Sequence, residues 1–141
     1  MIHTILTLNY VAVGTIALAG FMLGWLWYSP VLFARAWMRE MKLIPEKMRE
    51  IPARGVAKYF GTAFGYMLLS TFGLAVLIRC QGVTHWLSGA GYGLFVGCFV
   101  LGVRLLNSSM WEQRSWRLQA ITIGHEIALF TLQGTLLAVW N

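Results

Sequence analysis

The residues that could do chemistry in this chain lie near its C-terminus. Gln119, Glu126 and Gln133 recur every seven residues, with Thr122 beside them. At about 100° per residue on a helix they share one face. From Leu118 to Trp140 the only other ionisable side chain is His125. A carboxylate in such a setting suits one of two tasks. It can hydrogen-bond to a neighbouring helix and fix register, or it can take up and release a proton or cation. If this stretch crosses a membrane, Glu126 lies roughly 12 Å inside the boundary, at 1.5 Å per residue from Leu118. Ionised and alone there, it would cost several kcal/mol. It must therefore be protonated, paired or beside water. Tyr66, at similar depth on another apolar stretch, is a candidate partner, and Arg104 is a second by virtue of its reach.

His125 follows the same helix but projects about 100° away from Glu126. A neutral imidazole can ligate haem iron or the magnesium of a chlorophyll-type pigment. With no recognisable second ligand, hydrogen bonding or packing is the favoured role, and no cofactor is expected. His3 and His85 fall near the opposite surface and form no metal cluster with it. Asn9 and Gln133 are expected at matching depth, joined by a hydrogen bond between the first and last apolar stretches. No Gly-x-Ser-x-Gly, phosphate-binding loop or pair of carboxylates in one apolar stretch is present, so no enzyme is expected. The loop acids Glu40, Glu46, Glu50 and Glu112 sit among basic residues, as solvated ion pairs do.

The elements that must position these residues follow from composition. Of 141 residues, 58 % are hydrophobic and 11 % charged. A soluble domain carries about 25 % charged residues. A chain this small is mostly surface and needs a polar skin, which sixteen charged side chains cannot supply. The mean hydropathy of +0.66 agrees. The expectation is an all-α integral membrane bundle forming one domain. A crossing needs about 20 apolar residues. Four stretches qualify: 5–28, 59–78, 86–106 and 118–140. The first lacks a basic start and runs on past Ala19, so it reads as a retained helix rather than a cleaved signal. Trp25, Trp27, Tyr28, Tyr59, Trp86, Trp116 and Trp140 fall near the ends, where aromatic rings meet the headgroups.

The net charge of +6 is unevenly spread. Seven basic residues lie in 29–58, three more in 104–117, and Arg79 alone marks the other side. Basic loops stay in the cytoplasm. Both termini are then expected on the outer side of the membrane, the periplasmic side of an inner membrane if the chain is bacterial. The basic excess meets anionic lipid, and nucleic acid is not an expected partner. Cys80 and Cys98 are expected at different depths, without a bond between them.

Between the first two spans, Ser29-Pro30 reads as a helix start. Phe33, Trp37, Met41 and Ile44 then recur at helical spacing, which predicts a short amphipathic helix lying in the interface. Three small-residue pairs or ridges stand out: Gly89, Gly93 and Gly97; Gly20 and Gly24; Gly61 and Gly65. Helices in lipid gain contact where small residues let backbones approach. The ridges serve either the bundle itself or a partner.

With these elements in place, Asn9, the run Trp27-Tyr28-Ser29-Pro30 with Phe33 and Trp37, Asn107, Glu112-Gln113-Arg114, Gly124-His125-Glu126, Gly134 and Trp140 form a recognisable set. The chain resembles the bacterial "domain of unknown function 1761" family of small four-helix membrane proteins. The resemblance spans nearly the whole chain and implies four helices in a bacterial membrane. It implies no activity. Where that family tends to carry an aromatic residue, this chain has His125.

Two functions fit. The first is a non-catalytic accessory or scaffold subunit of a larger membrane assembly, with photosynthetic or respiratory complexes as possible hosts. Its partners would be membrane lipids and other membrane subunits or further copies of itself. The second is a small proton-coupled transporter, a homo-oligomer with Glu126 as proton or cation site.

Overall fold

The structure, a computed structural model, describes residues 2–42 and 53–140. Among them every regular element is a helix. In chain order these are α1 (Ile2–Leu6), α2 (Tyr10–Trp27), α3 (Ala34–Glu40), α4 (Ala53–Cys80), α5 (Trp86–Phe95), a π-helical segment (Val96–Gly102), α6 (Val103–Trp111) and α7 (Trp116–Trp140). The segment from Trp86 to Trp111 runs as one continuous rod. Four rods are long and apolar enough to cross a membrane: Tyr10–Trp27, Ala57–Cys80, Trp86–Trp111 and Trp116–Trp140.

The first span starts later than the sequence predicts. Asn9 interrupts the apolar run because its side chain competes for backbone hydrogens. Its Oδ1 accepts from the Ala12 amide at 3.1 Å and caps α2. Ahead of it, Ile2–Leu6 wind separately as α1. The third span in turn runs five residues past Leu106, to Trp111.

The bundle is antiparallel. Asn9 at the start of α2 reaches the Trp140 carbonyl at the end of α7 at 3.3 Å. At the other end of α2, Trp27 Nε1 donates to the Ile121 carbonyl at 3.1 Å. α7 is the central helix, with ten buried residues along its length. Its closest partner is α5. A Cβ on Gly93 would lie 2.0 Å from the Phe130 carbonyl oxygen, and one on Gly89 would lie 2.3 Å from that of Gly134. A Cβ on Gly134 would in turn lie 2.3 Å from the Gly89 carbonyl oxygen. Gly97 continues the seam against Ile127. This ridge therefore serves the bundle and does not face a partner. Gly20 also faces inward, against Gln133 and Leu129, whereas Gly61 and Gly65 have nothing within 4 Å.

The π segment extends the seam. Gly97 and Gly102 are both buried, and Gly102 meets Ile123 of α7. Five residues apart, they would point about 140° away from each other on an α-helix. The wider i→i+5 winding turns both toward α7.

α4 packs unevenly. Thr71, Leu74, Ala75 and Ile78 in its C-terminal half are buried. Ala57 to Ala63 are exposed around the whole circumference. The helix stands off from the bundle at that end, and Phe21 bridges part of the gap edge-on to Phe60 and Phe64, at 6.1 and 5.6 Å between ring centroids.

The predicted helix after Ser29-Pro30 begins instead at Ala34. Ser29 forms a turn whose carbonyl accepts from Leu32 and Ala34, and the Phe33 amide reaches back to the Trp27 carbonyl. Phe33 then stacks on Trp27 at 4.8 Å and Trp37 meets Tyr28 at 5.5 Å. Met41 is partly exposed, while Ile44 lies outside the described residues. Glu40 accepts from the Ser115 hydroxyl and lies 3.7 Å from Arg117, tying α3 to the start of α7. The α6–α7 turn is held by Glu112, to which Ser108 donates at 2.8 Å and Arg114 at 2.5 Å. The Ser108 bond, then Arg114, hold the Glu112 carboxyl below the usual carboxylate range.

The glycine contacts give a direct test. Gly93→Ala should cost about 1–3 kcal/mol or more, because backbone must move. Gly61→Ala and Gly65→Ala should leave the stability of the single chain's bundle unchanged, since nothing in the chain lies within 4 Å of either Cβ position. Melting in detergent micelles checks this, and equal losses at all three positions would contradict the seam.

Candidate functional site

α7 carries four polar residues on one stripe, and the structure gives each a separate partner. At the basic end, Gln119 is buried and donates to the Arg114 carbonyl at 3.0 Å. Thr122 returns its hydroxyl to the Leu118 carbonyl at 3.0 Å. At the opposite end, Gln133 is fully buried and donates to the Thr71 hydroxyl at 2.8 Å, beside the Met67 sulfur at 3.3 Å. Thr71 passes its own hydrogen to the Met67 carbonyl at 2.8 Å. The stripe is thus not a continuous relay.

The expected bond between Asn9 and Gln133 is replaced by these contacts. Asn9 is held a full seven residues further along, at Trp140, because it caps α2 beyond the depth of Gln133. The partner of Gln133 is Thr71 on α4. It went unnoticed in the sequence because a threonine in an apolar helix ordinarily satisfies itself on its own backbone.

Glu126 lies midway, partly buried. The expected partner Tyr66 borders the same cleft but is 70 % exposed, since α4 stands off at this level. The partner found is His125, whose Nδ1 lies 3.2 Å from Glu126 Oε1. The expectation that these neighbours diverge is corrected by packing. Trp27 and Tyr28 hold the imidazole edge-on and tilted, at 5.9 and 5.2 Å between centroids. Gly24 lies against its other side, where a Cβ would be 3.3 Å from Nε2. So pinned, the ring turns Nδ1 toward the carboxylate. Tyr28 also faces both Thr122 and Glu126. Among the described residues no Lys or Arg, Arg104 included, lies within ion-pairing distance of Glu126.

Where the Glu126 carboxylate is ionised, Nδ1 carries the hydrogen toward it and Nε2 keeps a bare lone pair. That nitrogen, the atom a haem or pigment would take, is buried without a hydrogen-bond partner. His125 is 7 % exposed, and Ser29, 8 % exposed, has an equally unpartnered hydroxyl. Both residues line a cleft of about 470 Å³ between α2 and α4, walled by Phe21, Trp25, Tyr28 and Phe60. A second cleft of about 360 Å³, sharing Ala63, Met67 and His125 with the first, is bordered by Glu126, Tyr66, Ser70 and Leu101. His125 belongs to both. Among the described residues no three His, Cys, Asp or Glu side chains gather as a metal site would require.

Four apolar rods with a polar pair at mid-depth define a small polytopic membrane protein. A model of the family described as "Protein of unknown function (DUF1761)" matches residues 11–138, and the chain belongs to that family. No curated protein and no solved structure matches it.

Double-mutant cycles check the new pairing. Gln133→Leu with Thr71→Val should show a coupling of about 0.6–1.7 kcal/mol, the range of hydrogen bonds between membrane helices. Gln133→Leu with Asn9→Ala should show almost none. The reverse ranking in detergent melts would restore the original expectation.

Proposed function

We propose that this protein is a small proton-coupled carrier of the bacterial inner membrane, with His125 and Glu126 as its proton-binding pair. One observation carries the reading: an ionisable pair at mid-depth has one nitrogen unsatisfied, and its histidine lines two adjoining clefts. The chemistry follows from proton count. With one proton shared, Nδ1–H bonds to the carboxylate, Nε2 is an acceptor and the pair is an anion. A second proton can settle on Nε2, which makes it a donor and cancels the charge. Uptake of one proton thus inverts the hydrogen-bonding sense of Nε2. The standing-off half of α4 supplies a surface that can move without disturbing the glycine seam.

The ten-to-one bias of basic residues supports a topology with both termini periplasmic and loops one and three cytoplasmic. The chain then acts as a carrier rather than an enzyme, without a resident cofactor, and its ordinary surroundings are lipids and membrane proteins rather than nucleic acid. The outward-facing Gly61 and Gly65 suit a second copy of the chain packed along α4. The same face favours the second reading, an accessory subunit whose α4 meets a host complex. The inward turn of the α5 ridge weakens that reading by removing the longest small-residue surface.

The test needs no substrate. Proteoliposomes adsorbed on a sensor surface receive a rapid pH step. Wild type should give a transient charge displacement, and Glu126→Gln should reduce it at least tenfold while the protein stays folded. Equal currents in both would sink the carrier reading. No current from either, with recovery from native membranes in a fixed ratio to other subunits, would establish the accessory reading instead.

A further inference from the structure

Glu126 is a carboxyl at mid-depth that the bundle does not enclose. On α7 it stands about 15 Å from Trp116 and about 21 Å from Trp140, at about 1.5 Å per residue. Its side chain keeps 27 % of its surface exposed. Ionisable groups at such a depth ordinarily face the interior of a bundle or a water-filled cavity. This one lines the second cleft, which lies between membrane-crossing helices: α4, the π segment and α7.

The rest of that cleft is mostly hydrocarbon, from Ala63, Met67, Leu101, Leu129 and Phe130. Ser70 also borders it, but turns its hydroxyl back to the Met67 carbonyl at 2.9 Å. Tyr66 is the other polar neighbour. The exposed residues on the same turns are Leu69 of α4 and Phe99 and Val100 of the π segment, all apolar. The outer faces of the rods at this depth meet acyl chains, and no polar path leads water to the carboxyl. We infer that Glu126 is a modification site facing the lipid, which takes neutral reagents dissolved in the hydrocarbon, lipophilic carbodiimides foremost, and not water-borne ones.

The reaction balances without a further reactant. The acid proton passes to one carbodiimide nitrogen while a carboxyl oxygen bonds to the central carbon, giving an O-acylisourea. Water would cleave that adduct to the free acid and a urea. In a dry cleft the acyl group moves instead from oxygen to the neighbouring nitrogen. The resulting N-acylurea keeps every atom of acid and reagent, so a stable adduct reports both reach and dryness. The titratable groups facing the carboxyl are His125 beside it, Tyr28 from the end of α2 and Tyr66 from α4. Arg104, one turn beyond Leu101, lies outside ion-pairing distance. The inference deepens the carrier reading, because a substrate meeting this acid would arrive sideways from the bilayer. It rests on that reading for the transport step alone.

The test treats the full chain in phosphatidylcholine nanodiscs with dicyclohexylcarbodiimide or with a water-soluble carbodiimide bearing a charged arm. Peptide mass spectrometry locates the adduct. The lipophilic reagent should place one N-acylurea on Glu126 at least about tenfold faster than the water-soluble one, since its ring carbons favour hydrocarbon. Glu112, in the exposed α6–α7 turn, should show the reverse ranking. Glu126→Gln should abolish the lipophilic adduct. Ser70→Leu fills part of the cleft and should slow labelling of Glu126 several-fold while Glu112 labels as before. The inference is overturned if neither reagent modifies Glu126, or if both do so equally fast. An unchanged rate in Ser70→Leu would also overturn it, by showing another route of entry. If Glu126 is labelled as described and a pH step drives no current, the carrier reading fails and the lateral site stands. If the current depends on Glu126 and only the water-soluble reagent labels it, the carrier stands with an aqueous route and this inference fails.

Discussion

The contact on which the rest of the structure depends is between two backbones. The carbonyl oxygens of Phe130 and Gly134 occupy the positions where side chains on Gly93 and Gly89 would begin. In lipid, apolar side chains gain nothing by leaving the solvent, so dispersion between close-packed surfaces must hold helices together. Glycine at these positions allows the closest such approach. It fixes α5 on α7 and leaves the remaining faces of α7 to α2 and α4. α2 takes its place through Gly20 against Leu129 and Gln133, and through the Trp27 bond to Ile121. α4 is anchored by Thr71 and the apolar residues after it, and by nothing comparable before it. The clefts beside His125 follow from that asymmetry.

Polar groups in a membrane interior must find partners inside the protein. Most do so here by local means. Thr15, Thr62, Thr122, Thr131 and Thr135 each return their hydroxyl to a carbonyl of the preceding turn. Gln133 and Thr71 solve the same problem between helices. Among the described residues four buried side-chain atoms lack a partner: Ser29 Oγ, Gln119 Oε1, His125 Nε2 and Gln133 Oε1. Each unsatisfied group costs about 1–3 kcal/mol.

The four spans were legible because length and hydropathy are sums over some twenty residues, and no single residue can hide them. The polar stripe was legible because a seven-residue repeat survives any helix packing. What depended on one residue's local choice was not. Asn9 reads equally well as a polar residue inside a helix or as the cap that starts one, and only the caps of neighbouring turns decide. Ser29-Pro30 carries the composition of a helix start, yet Phe33 stacking on Trp27 draws the chain into a turn first. The glycine spacings were visible on three spans, but their direction was not, since spacing alone does not say what lies opposite. Two face inward and Gly61 with Gly65 faces out. The His125–Glu126 pair was set aside because adjacent residues point apart on an ideal helix. It forms because Trp27, Tyr28 and Gly24 close around the imidazole. The run Trp27-Tyr28-Ser29-Pro30 lies around this site, which gives it a role beyond the membrane boundary.

The central claim is that Glu126 holds the hydrogen of neutral His125 on Nδ1 and so leaves Nε2 free to accept. Nitrogen NMR of histidine-labelled protein in lipid nanodiscs reads this directly, with His125→Phe identifying the signal among the three histidines. The account predicts that at alkaline pH the Nδ1 of His125 carries the hydrogen, that acid adds one to Nε2, and that Glu126→Gln removes the preference for Nδ1. A neutral His125 carrying its hydrogen on Nε2, indifferent to Glu126→Gln, would contradict it.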